Sequence, residues 1–313
     1  MVTKIRTAVA LAIGLIAGCG SSATNDTEAV GFEDSVLDTY EIQELPGIDA
    51  LQALGSRPAE RFVMSNFLVY RDQAVGEGFE GLTGEEAYSL YVEGLEEAQQ
   101  GIGSRLVWGG NVDAQVVGQS DPTFQTIAFL EYASPQAFLG FAAQPGENPE
   151  ARSAGLLGQW LVASTTIDEP AGEVGSASGD TLPGTTALAT ATGFTEAQVA
   201  RVLDGPAGEP VHIVELLRFV DGGRETYAQY EAEVAAARTD RGGALVWTAS
   251  GDAFVIGNGS PAFDEIVLSV YPNRAEYLLT MADPRVADAS ATRAASVALD
   301  WIYTATASAD FSL

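Results

Sequence analysis

Two stretches of the chain alternate between strands and helices in the same order. Apolar, β-branched runs at residues 62–71 and 211–220 predict a buried strand at the start of each stretch. A helix follows, marked in the first stretch by the capping pair Thr83 and Glu86. Further predicted elements are strands at 104–118, 124–132, 243–257 and 263–271, helices N-capped by Ser134 and Asn273, and closing strands at 159–166 and 300–307. Each stretch is therefore predicted to run strand, helix, strand, strand, helix, strand.

The two stretches form an internal repeat, because matching residues keep their order along both. The matched pairs are Asn66 and Glu215, Tyr88 and Tyr227, Tyr91 and Tyr230, Trp108 and Trp247, Tyr132 and Tyr271, Arg152 and Arg293, and Trp160 and Trp301. Conserved order and spacing over most of the chain indicate that one ancestral unit was duplicated.

The βαββαβ order predicts a ferredoxin-like unit, a four-stranded antiparallel sheet with two helices on one face. The other face needs a cover, and two such sheets packed face to face make an eight-stranded barrel. We expect an α+β fold in which two ferredoxin-like domains pair within one chain as a monomeric pseudo-dimer.

The N-terminus has the order of a secretion signal. Lys4 and Arg6 precede an apolar run shorter than the ~20 residues of a spanning helix, and the run ends at Cys19. The Ile-Ala-Gly-Cys tetrapeptide at 16–19 resembles the lipobox of bacterial lipoproteins. That resemblance implies that residues 1–18 are removed and that Cys19, the only cysteine, carries the lipid, such as palmitate, that holds the protein on a membrane. An outer-membrane location is favoured if the cell has two membranes.

Composition divides the rest of the chain. The segment 19–39 is predicted to be a flexible acidic tether, and 168–193, rich in Gly, Ala, Ser and Thr, a linker. Residues 40–167 and 194–313 are the two predicted domains, each with a lead-in helix.

The charge excludes one class of partner. The chain has 15 basic and 43 acidic residues and a net charge of −28, whereas nucleic-acid binding relies on Lys and Arg that neutralise phosphates. A single histidine does not make a zinc site of several histidines, and the chain has no phosphate-binding loop, nucleotide fingerprint or EF-hand motif. We expect neither a metal nor a cofactor.

Polar residues within the apolar strands are the candidates for chemistry. Glu215 is a candidate general base, since burial would raise its pKa, and His212, the only histidine, is a second catalytic candidate. If the phase of Asn66 and Glu215 points into the barrel, both line a central cavity; the alternative is that each hydrogen-bonds across the domain interface. The ligand-binding candidates are Asn66, Tyr88, Trp108, Arg152, Tyr227, Trp247 and Arg293. The alternative is that the aromatic residues belong to the hydrophobic core and that the polar ones pair with other residues of the chain.

The second half resembles a known family. Glu215-Leu-Leu-Arg-Phe-Val-Asp-Gly-Gly-Arg224, Tyr227-x-x-Tyr230 and Asp283-Pro284 are similar to the family called domain of unknown function 1330, of the dimeric α/β-barrel superfamily. The first half resembles it more loosely, with a longer loop at 73–82 and Gln144-Pro145 in place of Asp-Pro. The resemblance implies the fold but no reaction. Superfamily relatives include cofactor-free monooxygenases, isomerases and haem-handling proteins, whose catalytic residues have no matching motif here.

Three functions remain open at this point. The first is a module that binds a small apolar or aromatic molecule, or a partner protein. The second is a cofactor-independent monooxygenase or isomerase with its site in the barrel. The third is a structural domain whose barrel is packed solid.

Overall fold

The computed structural model describes residues 30–95, 102–143, 148–170 and 172–308. The first half comprises β1 (Thr39–Glu41), α1 (Ile48–Gly55), β2 (Phe62–Tyr70), α2 (Gly84–Glu93), β3 (Arg105–Val117), β4 (Thr126–Tyr132), α3 (Pro135–Ala142), α4 (Pro149–Gly155) and β5 (Leu156–Asp168). The second half comprises α5 (Thr185–Thr192), α6 (Glu196–Leu203), β6 (Val211–Phe219), α7 (Gly223–Asp240), β7 (Ala244–Ile256), β8 (Asn258–Ser260), β9 (Glu265–Tyr271), α8 (Arg274–Met281), α9 (Pro284–Ser296) and β10 (Val297–Ala307). Each half has the βαββαβ order, with an extra helix, α4 or α9, before its last strand.

Eight of the strands form one closed barrel in the order β10-β3-β4-β2-β5-β7-β9-β6. All neighbouring pairs are antiparallel. Within each half the closing strand pairs with the first strand, as in a ferredoxin-like sheet. The two sheets join where β5 pairs with β7 and where β10 pairs with β3. The predicted α+β fold is therefore confirmed, and a single chain closes the barrel.

Large side chains fill the inside of the barrel. Trp160 and Trp301, equivalent residues of the two halves, stack with 5.8 Å between ring centres and 6° between ring planes. Other aromatic residues surround them, each no more than 1% exposed: Phe67, Phe124, Phe129, Trp247 and Tyr303. Burial of apolar surface contributes about 25 cal/mol per Å², and aromatic side chains are among the largest contributors. The barrel interior is thus the central hydrophobic core.

The helices of each half cover the outer face of its sheet. Because alternate residues of a strand face opposite sides, β2 directs Val63 and Phe67 into the barrel and Met64 and Leu68 towards the helices. The end of β7 packs into the helical layer of the first half, and the end of β3 packs into that of the second. Each helical layer is therefore completed by a strand of the opposite half.

Residues 30–46, here called the N-terminal strap, lie against the two stacked tryptophans. Trp301 donates a hydrogen bond from Nε1 to the carbonyl oxygen of Ser35 (2.9 Å), and Trp160 donates one to that of Glu41 (3.0 Å). Between these contacts Leu37 enters the barrel core, and β1 pairs with β8. The strap therefore supplies acceptors for two indole N–H groups that burial would otherwise leave without partners.

The predicted helix starts are present. Thr83 and Glu86 make both hydrogen bonds of a capping box, and the side chains of Ser134 and Asn273 accept from backbone N–H groups three residues later. The predicted strands also match the observed ones to within three residues at each end. Local sequence signals thus located these elements correctly.

Two segments are more structured than the sequence predicts. The predicted linker at 168–193 contains α5, whose Leu188 is buried. The described part of the predicted tether at 19–39, from Val30 onward, packs on the fold, with Phe32 6% and Leu37 8% exposed. Isolated apolar residues in a polar stretch have no periodicity, so pattern analysis does not detect such packing.

Gly118 provides a test of the tryptophan packing. Its φ is +90°, and a Cβ there would lie 2.2 Å from Cδ1 of Trp301. Because backbone strain and the clash add, we expect Gly118→Ala to lower the free energy of unfolding by about 2–5 kcal/mol. Gly208 is a matched control, with φ +79° and no atom within 4 Å of its Cβ position. Gly208→Ala should cost about 1 kcal/mol, from backbone strain alone. Urea denaturation measures both, and equal losses would contradict this account.

Candidate functional site

The predicted site residues lie on two sides of the sheet. Trp108, Trp247 and His212 face the barrel interior. The others lie between the sheet and the helices. The strand residues Asn66 and Glu215 face the helices, and the remaining four are on helices: Tyr88, Arg152, Tyr227 and Arg293. Asn66 and Glu215 therefore do not line the barrel interior, which was one of the two arrangements that the sequence left open. Leu68 and Leu217, in the same strand phase, pack under the helices, because the larger aromatic residues occupy the inward positions.

His212 is separated from Glu215, the other catalytic candidate. Its ring lies 5.2 Å from that of Trp108, and burial lowers its pKa to about 4, so the imidazole is neutral at neutral pH. Its Nδ1 atom is buried without a hydrogen-bond partner among the described residues. Since His212 and Glu215 lie on opposite faces of one strand, the two candidate bases do not share a site.

A cavity of about 430 Å³ lies between the sheet and the helices of the first half. Its wall is mostly apolar, with Met64 and Leu68 from β2 and Phe138 from α3. Val255 and Ile256 of β7 complete it, so the wall requires both halves of the chain. This space, which we call the first-half cavity, lies outside the barrel interior where the sequence analysis places an enzymatic site.

Several polar side chains interrupt the apolar wall, and the fold brings them together from β2, α2, β4, α4 and β5. They are Asn66, Tyr88, Tyr91, Tyr132, Arg152 and Gln159. Arg152 donates a hydrogen bond from an Nη atom to the carbonyl oxygen of Glu44 in the strap (2.6 Å). Burial raises the pKa of Tyr88 and of Tyr91, so both phenols stay protonated at neutral pH and can donate hydrogen bonds.

The equivalent positions of the second half form a cluster in which charges are paired within the chain. Arg293 donates hydrogen bonds to a carboxylate oxygen of Asp300 (2.9 Å) and to the carbonyl oxygen of Gly31 (3.0 Å). The ring of Phe32 lies 3.6 Å from the same guanidinium group. Phe32 in turn packs on Phe194, which lies two residues before α6.

Glu215 belongs to the second-half cluster. Burial, together with the negative charge of Asp300, raises its pKa to about 8, although Arg238 and Arg293 oppose the shift. Burial raises the pKa of Asp300 to about 6, with Arg293 opposing. The two carboxyl groups titrate as a pair, in which Glu215 holds the proton near neutral pH and Asp300 carries the charge that pairs with Arg293.

Sequence analysis did not single out Gln159 and Asp300. Gln159 lies beside Leu68 in the register of β5 and β2, and Asp300 lies beside Leu217 in that of β10 and β6. Each directly precedes one of the matched tryptophans, so the signal was a polar residue at the same position of both closing strands. Whether this polar position belongs to a site depends on which face of the strand turns to the helices, and only the structure shows that.

Cys19, the predicted lipidation site, lies outside the described residues. Within the described ranges, no helix combines the length and hydrophobicity needed to cross a membrane. The same ranges contain no group of three or more His, Cys, Asp and Glu side chains placed to hold a metal ion.

The fold defines the class of this protein as a dimeric α/β barrel of two ferredoxin-like units in one chain. No protein-family model matches the sequence, and no match to a curated protein was found. A solved protein of unknown function from Rhodopseudomonas palustris is 23% identical, with 40% of this chain and 95% of its own covered, at a TM-score of 0.36. A Lactobacillus acidophilus protein provisionally described as a monooxygenase is 9% identical, with 79% and 94% covered, at 0.43. Chlorite dismutase from Candidatus Nitrospira defluvii is 12% identical, with 82% and 94% covered, at 0.40.

Glu215 should give stability a distinctive pH dependence. Because its pKa in the folded state is about 8, against an ordinary value of about 4.3, the folded state holds this proton more tightly than the unfolded state. Its contribution is complete below about pH 4 and is lost as the pH rises through about 8. We therefore expect Glu215→Gln to lessen the fall in Tm between about pH 5 and 8, as measured by thermal melts.

The exposed Glu85 of α2 supplies the control for this experiment. Glu85→Gln removes the same charge from the surface and should leave the pH profile unchanged. A Glu215→Gln profile that coincides with that of the unaltered protein would contradict the assignment.

Proposed function

We propose that this protein binds a small, largely apolar molecule in the first-half cavity. The observation that carries the proposal is the cavity itself, whose volume of about 430 Å³ falls in the range of ~300–1,000 Å³ usual for small-molecule sites. Such sites commonly combine an apolar wall with a few convergent polar groups, and Asn66, Tyr88 and Arg152 are such groups here.

Comparison of the two halves supports this proposal, because a smaller side chain lines the sheet where the cavity lies. Ala128, opposite Asn66 in the sheet, stands where the second half has Val267 opposite Glu215. Over the second-half cluster, the rings of Phe32 and Phe194 pack together. One repeat thus pairs its arginine with an internal acid, while the other has a cavity beside the equivalent arginine.

Ala128→Phe tests whether the cavity is the binding site. Ala128 is 1% exposed and lines the cavity, so a phenyl group would occupy part of the space. We expect at least a tenfold loss of affinity, or about 1.4 kcal/mol, for a neutral naphthalene dye such as prodan in a fluorescence titration. Ala232→Phe on the exposed surface of α7 adds the same group elsewhere and should bind as the unaltered protein does. Undiminished binding by Ala128→Phe would place the dye outside the cavity and contradict the proposal.

We further propose that the protein is an exported lipoprotein related to the family called domain of unknown function 1330. The charged and apolar regions of residues 1–18 and the lipobox-like tetrapeptide ending at Cys19 support export and lipidation. The motifs between Glu215 and Pro284 support the family relationship. The strap is held on the fold from Val30 onward, eleven residues after Cys19.

Cys19→Ala tests the anchor. Each buried methylene of an acyl chain contributes about 0.8 kcal/mol, so loss of the acylated thiol should move the protein from the membrane to the soluble fraction. Immunoblotting of separated fractions measures this, and Ser21→Ala, two residues away, should remain in the membrane fraction. Retention of Cys19→Ala on the membrane would contradict lipidation at this residue.

A cofactor-independent enzyme is the second candidate, and the raised pKa of Glu215 is the observation that favours it. A carboxyl group with a pKa of about 8 can exchange a proton near neutral pH, as a general base must. Glu215 does not line the first-half cavity, so an enzyme that uses it would need a separate substrate site. We place this candidate second for that reason.

A further inference from the structure

We propose that the ligand of the first-half cavity carries a single carboxylate group, and that Arg152 binds it. The inference rests on the proposed binding function and adds the chemical class of the ligand. It follows from a difference in charge between two sites that are otherwise built alike.

Both acidic residues of the second-half cluster are replaced by amides in the first half. Glu215 corresponds to Asn66, which pairs with Leu161 as Glu215 pairs with Ile302. Asp300 corresponds to Gln159, the residue before the matched tryptophan. The arginine, in contrast, is kept in both halves. The two halves therefore share the cation of the site, but only the second half has the two internal acids.

The cavity wall contains no acidic residue among the described residues that line it, and Arg152 is its one charged side chain. This is unusual for a chain with 43 acidic residues and a net charge of −28. No carboxylate of the described residues lies within 4 Å of the Arg152 guanidinium, whereas Arg293 has Asp300 at 2.9 Å. The hydrogen bond to the Glu44 carbonyl oxygen holds Arg152 in place without neutralising it.

A guanidinium group beside an apolar cavity favours an anionic partner, because charged groups out of water are costly unless paired. Arginine binds a carboxylate through two parallel N–H donors, and one arginine neutralises one such group. The phenols of Tyr88 and Tyr91 lie close enough to Arg152 for its charge to oppose the rise in their pKa. Both phenols are neutral and offer further hydrogen-bond donors to a carboxylate. An apolar monocarboxylate fits these features: its body contacts the apolar wall and its head contacts Arg152.

Competition between two matched probes tests the charge. We would displace prodan with 2-naphthoate and with 2-naphthamide, which share one ring system and differ in charge. The unaltered protein should prefer naphthoate by at least tenfold, since a charge-assisted hydrogen bond is worth more than a neutral one. Equal affinities for the two probes would overturn the carboxylate inference and leave the proposed binding function standing. Failure of prodan to bind at all would overturn the proposed function itself.

Gln159→Glu tests the mechanism of the preference. The new carboxylate should pair with Arg152 as Asp300 pairs with Arg293, and should abolish the preference for naphthoate while prodan still binds. Gln73→Glu adds the same charge on the exposed surface outside the cavity lining, so it should keep the preference. Arg152→Met removes the cation and should also lose the preference for naphthoate. This variant tests the same point if thermal melts show that Gln159→Glu does not fold. An undiminished preference in a folded Gln159→Glu or Arg152→Met variant would overturn the role of Arg152.

Discussion

The antiparallel pairing of β5 with β7 and of β10 with β3 is the constraint on which the rest of the molecule depends. A ferredoxin-like sheet covers only one face with its helices, so its other apolar face must be buried against a second sheet. These two pairings bring the faces together, and the stacked Trp160 and Trp301 meet inside. The same pairings carry the end of β7 into the helical layer of the first half, where it forms part of the cavity wall. The strand pairings that close the barrel thus also build part of the candidate site.

Duplication gives the two halves the same backbone but lets their sites differ in chemistry. In the second half Arg293 and Asp300 pair beneath Phe32, and Glu215 remains protonated beside them. In the first half amides stand in place of the two acids, and a cavity lies beside the arginine. A repeated arginine therefore serves as an internal partner in one half and faces a cavity in the other.

The N-terminal strap links these regions. Its carbonyl oxygens accept hydrogen bonds from both matched tryptophans and from both matched arginines, Arg152 at Glu44 and Arg293 at Gly31. Such buried donors need acceptors, and an unpaired one costs about 1–3 kcal/mol. The segment that would lead to the lipid anchor is therefore also a structural part of both sites.

The sequence by itself determined the repeated βαββαβ order, the helix caps at Thr83, Ser134 and Asn273, and the pairing of two ferredoxin-like units. These follow from periodicity, local hydrogen bonding and internal repetition, which are all visible along the chain. Only the tertiary structure decided that Asn66 and Glu215 face the helices rather than the barrel, because a strand exposes two faces and its pattern does not say which one the larger aromatic residues fill. It also placed Gln159 and Arg152 on the wall of one cavity, since the residues that line a cavity depend on strand register and helix packing.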